Sequence, residues 1–187
     1  MWIGFYTRAP HEMRKVPLAG GRPVTITPLD TYRNDARWRR DGTIVFATEV
    51  EGLFAVRDAG GEPFQLTTPD SGVGELAHQG PQELSDGRLF FGVQGLDGFR
   101  SAILDPDSGE WRVLPGDLGG SYVPDSHMLI GAGDGTWTAH EFRLGASEIG
   151  RGIPILPGAI TPYNRGGLGQ PAPLSFSQHG DVAFLVM

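Results

Sequence analysis

Glu75 and His78 stand three residues apart in the stretch GELAHQG, and of all the pairs in the chain they are the best suited to site chemistry. A neutral imidazole and a carboxylate can share a divalent cation such as Ca, Zn or Mn, with Asp35 or Asn34 supplying a further oxygen. An ion held there would polarise a scissile group and activate water, which is the chemistry of a metal-dependent hydrolase acting on lactones or phosphotriesters. His78 has a second reading, in which its ring hydrogen-bonds between neighbouring strands and holds sheets together. Both readings stay open on the residues alone.

Other patterns fall away on spacing. HEMRK (His11–Lys15) and HEFRL (His140–Leu144) begin like a zinc-protease helix but lack the second histidine. Both also sit in strand contexts, where residues four apart do not converge as they do on a helix. DPDSGE (Asp105–Glu110) lacks the length and terminal glutamate of a calcium loop, and reads as a hairpin turn. GAGDG (Gly131–Gly135) has no helix after it, so it is a turn rather than a nucleotide loop. No G-x-S-x-G elbow is present. The chain has no cysteine, which removes disulfides, thiolate metal sites and a thiol nucleophile.

What positions the remaining candidates is an internal repeat. WRRDGTIVFA (Trp38–Ala47) aligns with ELSDGRLFFG (Glu83–Gly92), YVPDSHMLIG (Tyr122–Gly131) and FSQHGDVAFL (Phe176–Leu185). Asp41-Gly42 recurs as Asp86-Gly87, a step of about 45 residues that lies in the range of propeller blades. Asp41, Asp86 and Asp125 fall in the turn of each unit, where an aspartate caps local backbone N–H groups. A second series of strand, Gly-containing turn and strand runs alongside, in VPLAGGRPVTIT, VRDAGGEPFQLT and LDPDSGEWRVL.

Each unit reads as four short strands, the first innermost. The units lie near residues 1–29 (lacking the first strand), 30–69, 74–115, 119–157 and 171–187 (only the first two strands). The expected fold is all-β, a β-propeller of four-stranded antiparallel blades in one domain, 1–187, with an incomplete or shared terminal blade. Strands this short are stable when both faces of each sheet are buried. Trp38, Tyr122 and Phe176 occupy equivalent places and read as packing between sheets, with Glu83 the exception. Trp111 and Trp137 read as packing or interface residues, and Phe90 and Phe91 as core.

In such a ring the starts of the first strands converge on a central channel. The candidate ligand residues there are Arg33, Asn34 and Asp35 in one unit, Glu75, His78 and Gln79 in the next, and Ser121 and Tyr122 in the third. PLSFS near the C-terminus can supply the strand missing from the first unit, leaving DVAFLVM to compete with WIGFY for the second place. One strand too many predicts a homo-oligomer, a dimer first, joined through the terminal strands.

Bulk composition agrees. The counts of 29 Gly and 15 Pro beside 39% apolar residues suit many turns between many strands. A net charge of −7 excludes a general nucleic-acid surface, and RWRR (Arg37–Arg40) is too short to alter that. The sequence holds no membrane-span-length apolar run and no signal-peptide pattern, so the expectation is a soluble, by default cytoplasmic, protein.

These stretches resemble the TolB-like, PD40-type propellers of bacteria. They are most similar to the propeller domains at the C-terminus of bacterial eukaryote-like serine/threonine protein kinases. KVPLAGGRPVTI, WRRDGTIVFATEVEGLFAVRDAGGEPFQLTTPD, GELAHQGPQELSDGRLFF, SAILDPDSGEWRVL, GGSYVPDSHMLIGAGDGTW and LSFSQHGDVAFL carry the resemblance, in the family's order. It implies a module that binds a protein or small ligand or acts as a scaffold. No kinase signature accompanies it. The family's ring has six blades, whereas this chain supplies about four and a half and resembles the C-terminal part.

Overall fold

Thr43–Ala47 contains no polar–apolar alternation, and all five of its residues are buried. A strand of this kind must lie in a sheet with protein on both faces, and the architecture follows from that requirement. The computed structural model describes residues 1–30, 35–48, 50–114, 120–123, 127–131, 136–143 and 150–155, with the strands 174–176 and 182–184.

Strands β1 (Trp2–Arg8), β2 (His11–Pro17) and β3 (Val24–Pro28) form a three-stranded antiparallel meander. The second sheet holds β4 (Ala36–Trp38), β5 (Thr43–Ala47), β6 (Leu53–Arg57) and β7 (Phe64–Gln65). The third holds β8 (Glu75–Glu83), β9 (Leu89–Gly95), β10 (Gly98–Leu104) and β11 (Trp111–Val113). The fourth holds β12 (Ser121–Val123), β13 (His127–Gly131), β14 (Trp137–Glu141) and β15 (Gly152–Pro154). In each of these four sheets the strands neighbour one another in chain order. β16 (Leu174–Phe176) pairs with β17 (Val182–Phe184) in a separate two-stranded sheet.

Successive side chains of a strand point to opposite faces, and the core divides accordingly. Ile44 and Phe46 of β5 pack with Met13 and Ile26 of the first sheet, with Trp38 against the same cluster. Val45 and Ala47 of the same strand pack with Leu89, Phe91 and Val93 of β9. Phe90, between them, turns the other way onto Tyr122 and Met128 of the fourth sheet and onto Phe142, just past β14. Each middle sheet is thus an apolar slab in contact with two others. Full burial of one such Phe or Leu is worth about 1.5–3 kcal/mol, so even a three-residue edge strand is held by the cores on either side.

The turns are built as the residues require. Asp41 Oδ1 accepts from Thr43 N at 2.8 Å, and Asp86 Oδ1 from Arg88 N at 3.1 Å. Asp125 lies outside the described residues. Asp105 Oδ1 accepts from Asp107 N at 2.9 Å within the β10–β11 turn, which makes DPDSGE a hairpin corner. Gly52 precedes β6 at φ +100, and a Cβ there would run into the Thr67 carbonyl. His11–Lys15 lies in β2 and His140 in β14, so neither HE pair sits on a helix.

The terminal strands differ from one expected arrangement. β16 takes β17 as its partner, and among the described residues no ladder joins either strand to β1. A strand beside β17 satisfies its backbone groups locally, without closing the long loop that pairing with β1 requires. No helix among the described residues is long and apolar enough to cross a membrane.

Candidate functional site

The third sheet begins with a sharp entry. Asp70 Oδ1 accepts from Gly72 N at the start of a single 3-10 turn, Ser71–Val73, and Gly74 leaves it at φ 81. That turn delivers Glu75 as the first residue of β8. On a regular strand Glu75 and His78 would point to opposite faces, since their spacing is odd. The β8–β9 register shifts between Glu75 and Ala77. The extra residue, Leu76, turns outward and is 42% exposed. This bulge puts Glu75 and His78 on one face, because one extra residue in the strand reverses the alternation that follows it.

The two side chains do meet. His78 Nε2 lies 3.4 Å from Glu75 Oε2, the same oxygen that accepts from Asp70 N at 2.8 Å. Glu75 Oε1 takes a long hydrogen bond from Arg100 Nη2, at 3.5 Å. On its other side His78 Nδ1 is 2.8 Å from Thr67 Oγ1, which itself accepts from Leu53 N at 3.0 Å. Facing a carboxylate, Nε2 must carry the ring proton. Nδ1 is then the acceptor for the Thr67 hydroxyl, whose oxygen remains open to Leu53 N–H. One tautomer satisfies every group.

His78 is fully buried, with its ring 4.9 Å from Trp111 and 5.1 Å from Phe91. Burial pushes its pKa below the usual histidine range, against the pull of the Glu75 carboxylate. The ring is a neutral bridge between the second and third sheets. Both ring nitrogens are engaged in hydrogen bonds, one to Thr67 and one to Glu75. Among the described residues no group of three or more His, Asp or Glu side chains is disposed to hold a metal ion.

A second irregularity in β8, between Gln79 and Gln82, frees the Gly80 N–H from the ladder. Asp35 Oδ2 accepts it. Burial raises the pKa of that carboxyl, and the Gly80 N–H partly offsets the shift. The Asp35 carbonyl in turn accepts from Tyr6 Oη at 3.3 Å. Further along, Gln82 Oε1 accepts from Tyr122 N at 2.8 Å. Polar bonds therefore run from the first sheet to the fourth through the first strands: Tyr6 to Asp35, Asp35 to Gly80, and Tyr122 to Gln82.

Of the residues singled out by sequence, Glu75 and His78 come together, while Asp35 lies on Gly80 instead of joining them. Gln79 donates to Gln94 Oε1 at 2.8 Å. Ser121 and Tyr122 are buried in β12. Arg33 and Asn34 lie outside the described residues. Thr67 and Arg100, which complete the Glu75–His78 network, carry no signal in the sequence. Glu83, which replaces the aromatic of the other units, accepts from Arg40 N at 3.2 Å and lies 3.6 Å from Arg39 Nε, so this position also joins two sheets.

No protein-family model and no curated protein sequence matches the chain. Among solved structures it is similar to a luciferin-regenerating enzyme, at 11% identity and TM-score 0.65 over 98% of this chain and 67% of that one. It is similar to an oligogalacturonate lyase in complex with manganese, at 16% identity and TM-score 0.50 over 71% of this chain and 36% of that one. It also resembles the N-terminal domain of Nup159, at 11% identity and TM-score 0.51 over 81% of this chain and 41% of that one. Likeness at these identities speaks to fold alone. Taken with antiparallel sheets that pack face to face in chain order, it establishes the architecture as all-β, of β-propeller type.

Proposed function

We propose that the chain is a β-propeller binding or scaffolding module of the TolB-like kind, which takes a ligand where the first strands meet and self-associates through its terminal strands. The observation that carries this reading is the state of His78. A buried, neutral imidazole with both nitrogens engaged is a structural bridge, unsuited to proton transfer with a substrate. Asp35 is engaged in the same way with Gly80. The half-buried Gln79 and the exposed Leu76 of β8 are the contact groups proposed for a ligand, with Arg33 and Asn34 carried over from the sequence reading. Self-association is supported by β1, an edge strand of its sheet among the described residues, with Trp2 and Ile3 exposed.

The test is residue-resolved NMR on the full chain with a mixed library of small molecules, together with light scattering. Saturable shifts at Gln79, Gln94 or Ser121 and a dimeric mass support the reading. An unresponsive spectrum and a monomer contradict it.

A metal-dependent hydrolase is the second reading, and the likeness to a manganese-bound lyase is what favours it. Stoichiometric Ca, Zn or Mn in the purified protein, lost in His78→Ala, would establish that reading. Its absence after supplementation, with no turnover of lactones or phosphotriesters, would remove it.

A further inference from the structure

Beside the Glu75–His78 network, and sharing Arg100 with it, lies a cavity of about 180 Å³. Its walls are the backbone of Gly74, Gly95 and Gly98 and the side chains of Val73, Leu96, Asp97, Phe99 and Arg100. Two segments form it. The β9–β10 hairpin turns through Leu96 and Asp97, and its tip is tied to the entry of β8 by the bond from Leu96 N to Gly74 O, at 3.0 Å. With glycine on three sides, the walls lack side chains that would fill the space.

Arg100 is the chemical feature of this cavity. A guanidinium carries five N–H donors in a planar fork. Among the described residues Arg100 gives one long bond, to Glu75 Oε1. That bond engages one Nη2 N–H at its long limit, so the other guanidinium N–H groups can serve a ligand while Arg100 stays beside Glu75. A donor-rich fork on a cavity wall suits an acceptor with two parallel oxygens, and a carboxylate matches it in geometry and charge. Val73 and Leu96, in the same lining, are 66% and 76% exposed, an apolar lip suited to an alkyl chain. At about 30 Å³ per water, the volume holds about six non-hydrogen atoms, and the open apolar lip takes the end of a slightly longer chain.

We infer that this cavity binds a short-chain aliphatic carboxylate, its oxygens on Arg100 and its alkyl end against Val73, Leu96 and Phe99. The inference rests on the binding-module reading and gives it a ligand class. Asp97, exposed on the rim, opposes the ligand charge weakly, and this sets the signs of the test.

The experiment is a titration of the ¹⁵N-labelled full chain with sodium valerate at constant ionic strength, with valeramide and butylamine as comparators. Valerate should give saturable shifts at Val73, Gly74 and Leu96–Arg100, and the comparators should not. Arg100→Gln should weaken binding by at least about tenfold, since a hydrogen bond to a charged group is worth about 1.5–3 kcal/mol. Asp97→Asn, on an exposed turn, should tighten it, and serves as the second variant if Arg100→Gln fails to fold. No saturable shift, equal response to valeramide, preference for butylamine, or a weaker Asp97→Asn would each overturn the inference. Shifts confined to Gln79, Gln94 or Ser121 would overturn it too, while leaving the binding-module reading standing.

Discussion

Thr67 Oγ1 and His78 Nδ1 meet at 2.8 Å across the seam between the second and third sheets. The hydroxyl donates a hydrogen bond to the ring and accepts one from Leu53 N. A single side chain thus satisfies a buried histidine on one side and a backbone N–H on the other.

Thr67→Val keeps the shape of the side chain and removes both bonds. It leaves Leu53 N–H and His78 Nδ1 buried without partners, at about 1–3 kcal/mol for each unsatisfied group. Chemical denaturation should show a lower midpoint with an unchanged slope. Thr67→Ser, which keeps the hydroxyl, should recover most of the loss. Equal destabilisation by both would mean that the hydroxyl is not the operative group.

The same network sets an acid sensitivity. Burial holds the folded pKa of His78 below its ordinary value of 6.5. The unfolded chain therefore binds a proton there first. Stability present above pH 6.5 should be lost as pH falls through the folded pKa. His78→Gln should flatten the stability profile in that window, read from denaturation midpoints between pH 7 and pH 5. An unchanged slope would contradict the assignment.

Asp35 carries the opposite sign. Its folded pKa is raised above 3.8 by burial, so it contributes stability below pH 3.8 that is lost as pH rises through the folded value. Asp35→Asn should be neutral or stabilising at pH 7, because the amide oxygen can still accept from Gly80 N without a buried charge. Asp35→Ala should destabilise, since Gly80 N–H loses its partner. Thermal melts of the pair at pH 7 decide the matter.

Gly52→Ala should be among the most damaging single changes. The left-handed backbone costs an alanine about 1–2 kcal/mol, and the new Cβ meets the Thr67 carbonyl. Gly87→Ala is the control, at φ +88 with open space around it. It should lose only the backbone term, and equal melting temperatures for the two variants would contradict the packing described.

How much of this was legible follows from periodicity. TIVFA and LFFGV are continuous apolar runs bounded by Asp-Gly turns, and such runs at a regular step imply stacked sheets before any coordinates. Asp41 and Asp86 could be assigned to turns because an Asx cap is a local interaction. The Glu75–His78 contact was legible as a pairing but not as a geometry. It depends on a bulge at Leu76, and nothing in GELAHQG marks where the ladder slips. Thr67 and Arg100 lie 11 and 22 residues from His78 in sequence, and reach the network only through sheet packing and hairpin pairing. Pattern reading gives faces and turns, whereas a buried network is fixed by register across sheets. The β16–β17 pair was legible, because FSQHGDVAFL repeats the pattern of the other first hairpins, whereas the relation of those strands to β1 was not.

The claim on which the account turns is that His78 is a neutral bridge between sheets, carrying its proton on Nε2. Long-range ¹⁵N–¹H correlation of the imidazole in the full chain reads this state directly. The predicted result at pH 7 is a neutral ring protonated on Nε2, unchanged by added Ca, Zn or Mn. A ring protonated on Nδ1, a charged ring, or nitrogen shifts that move on metal addition would contradict it.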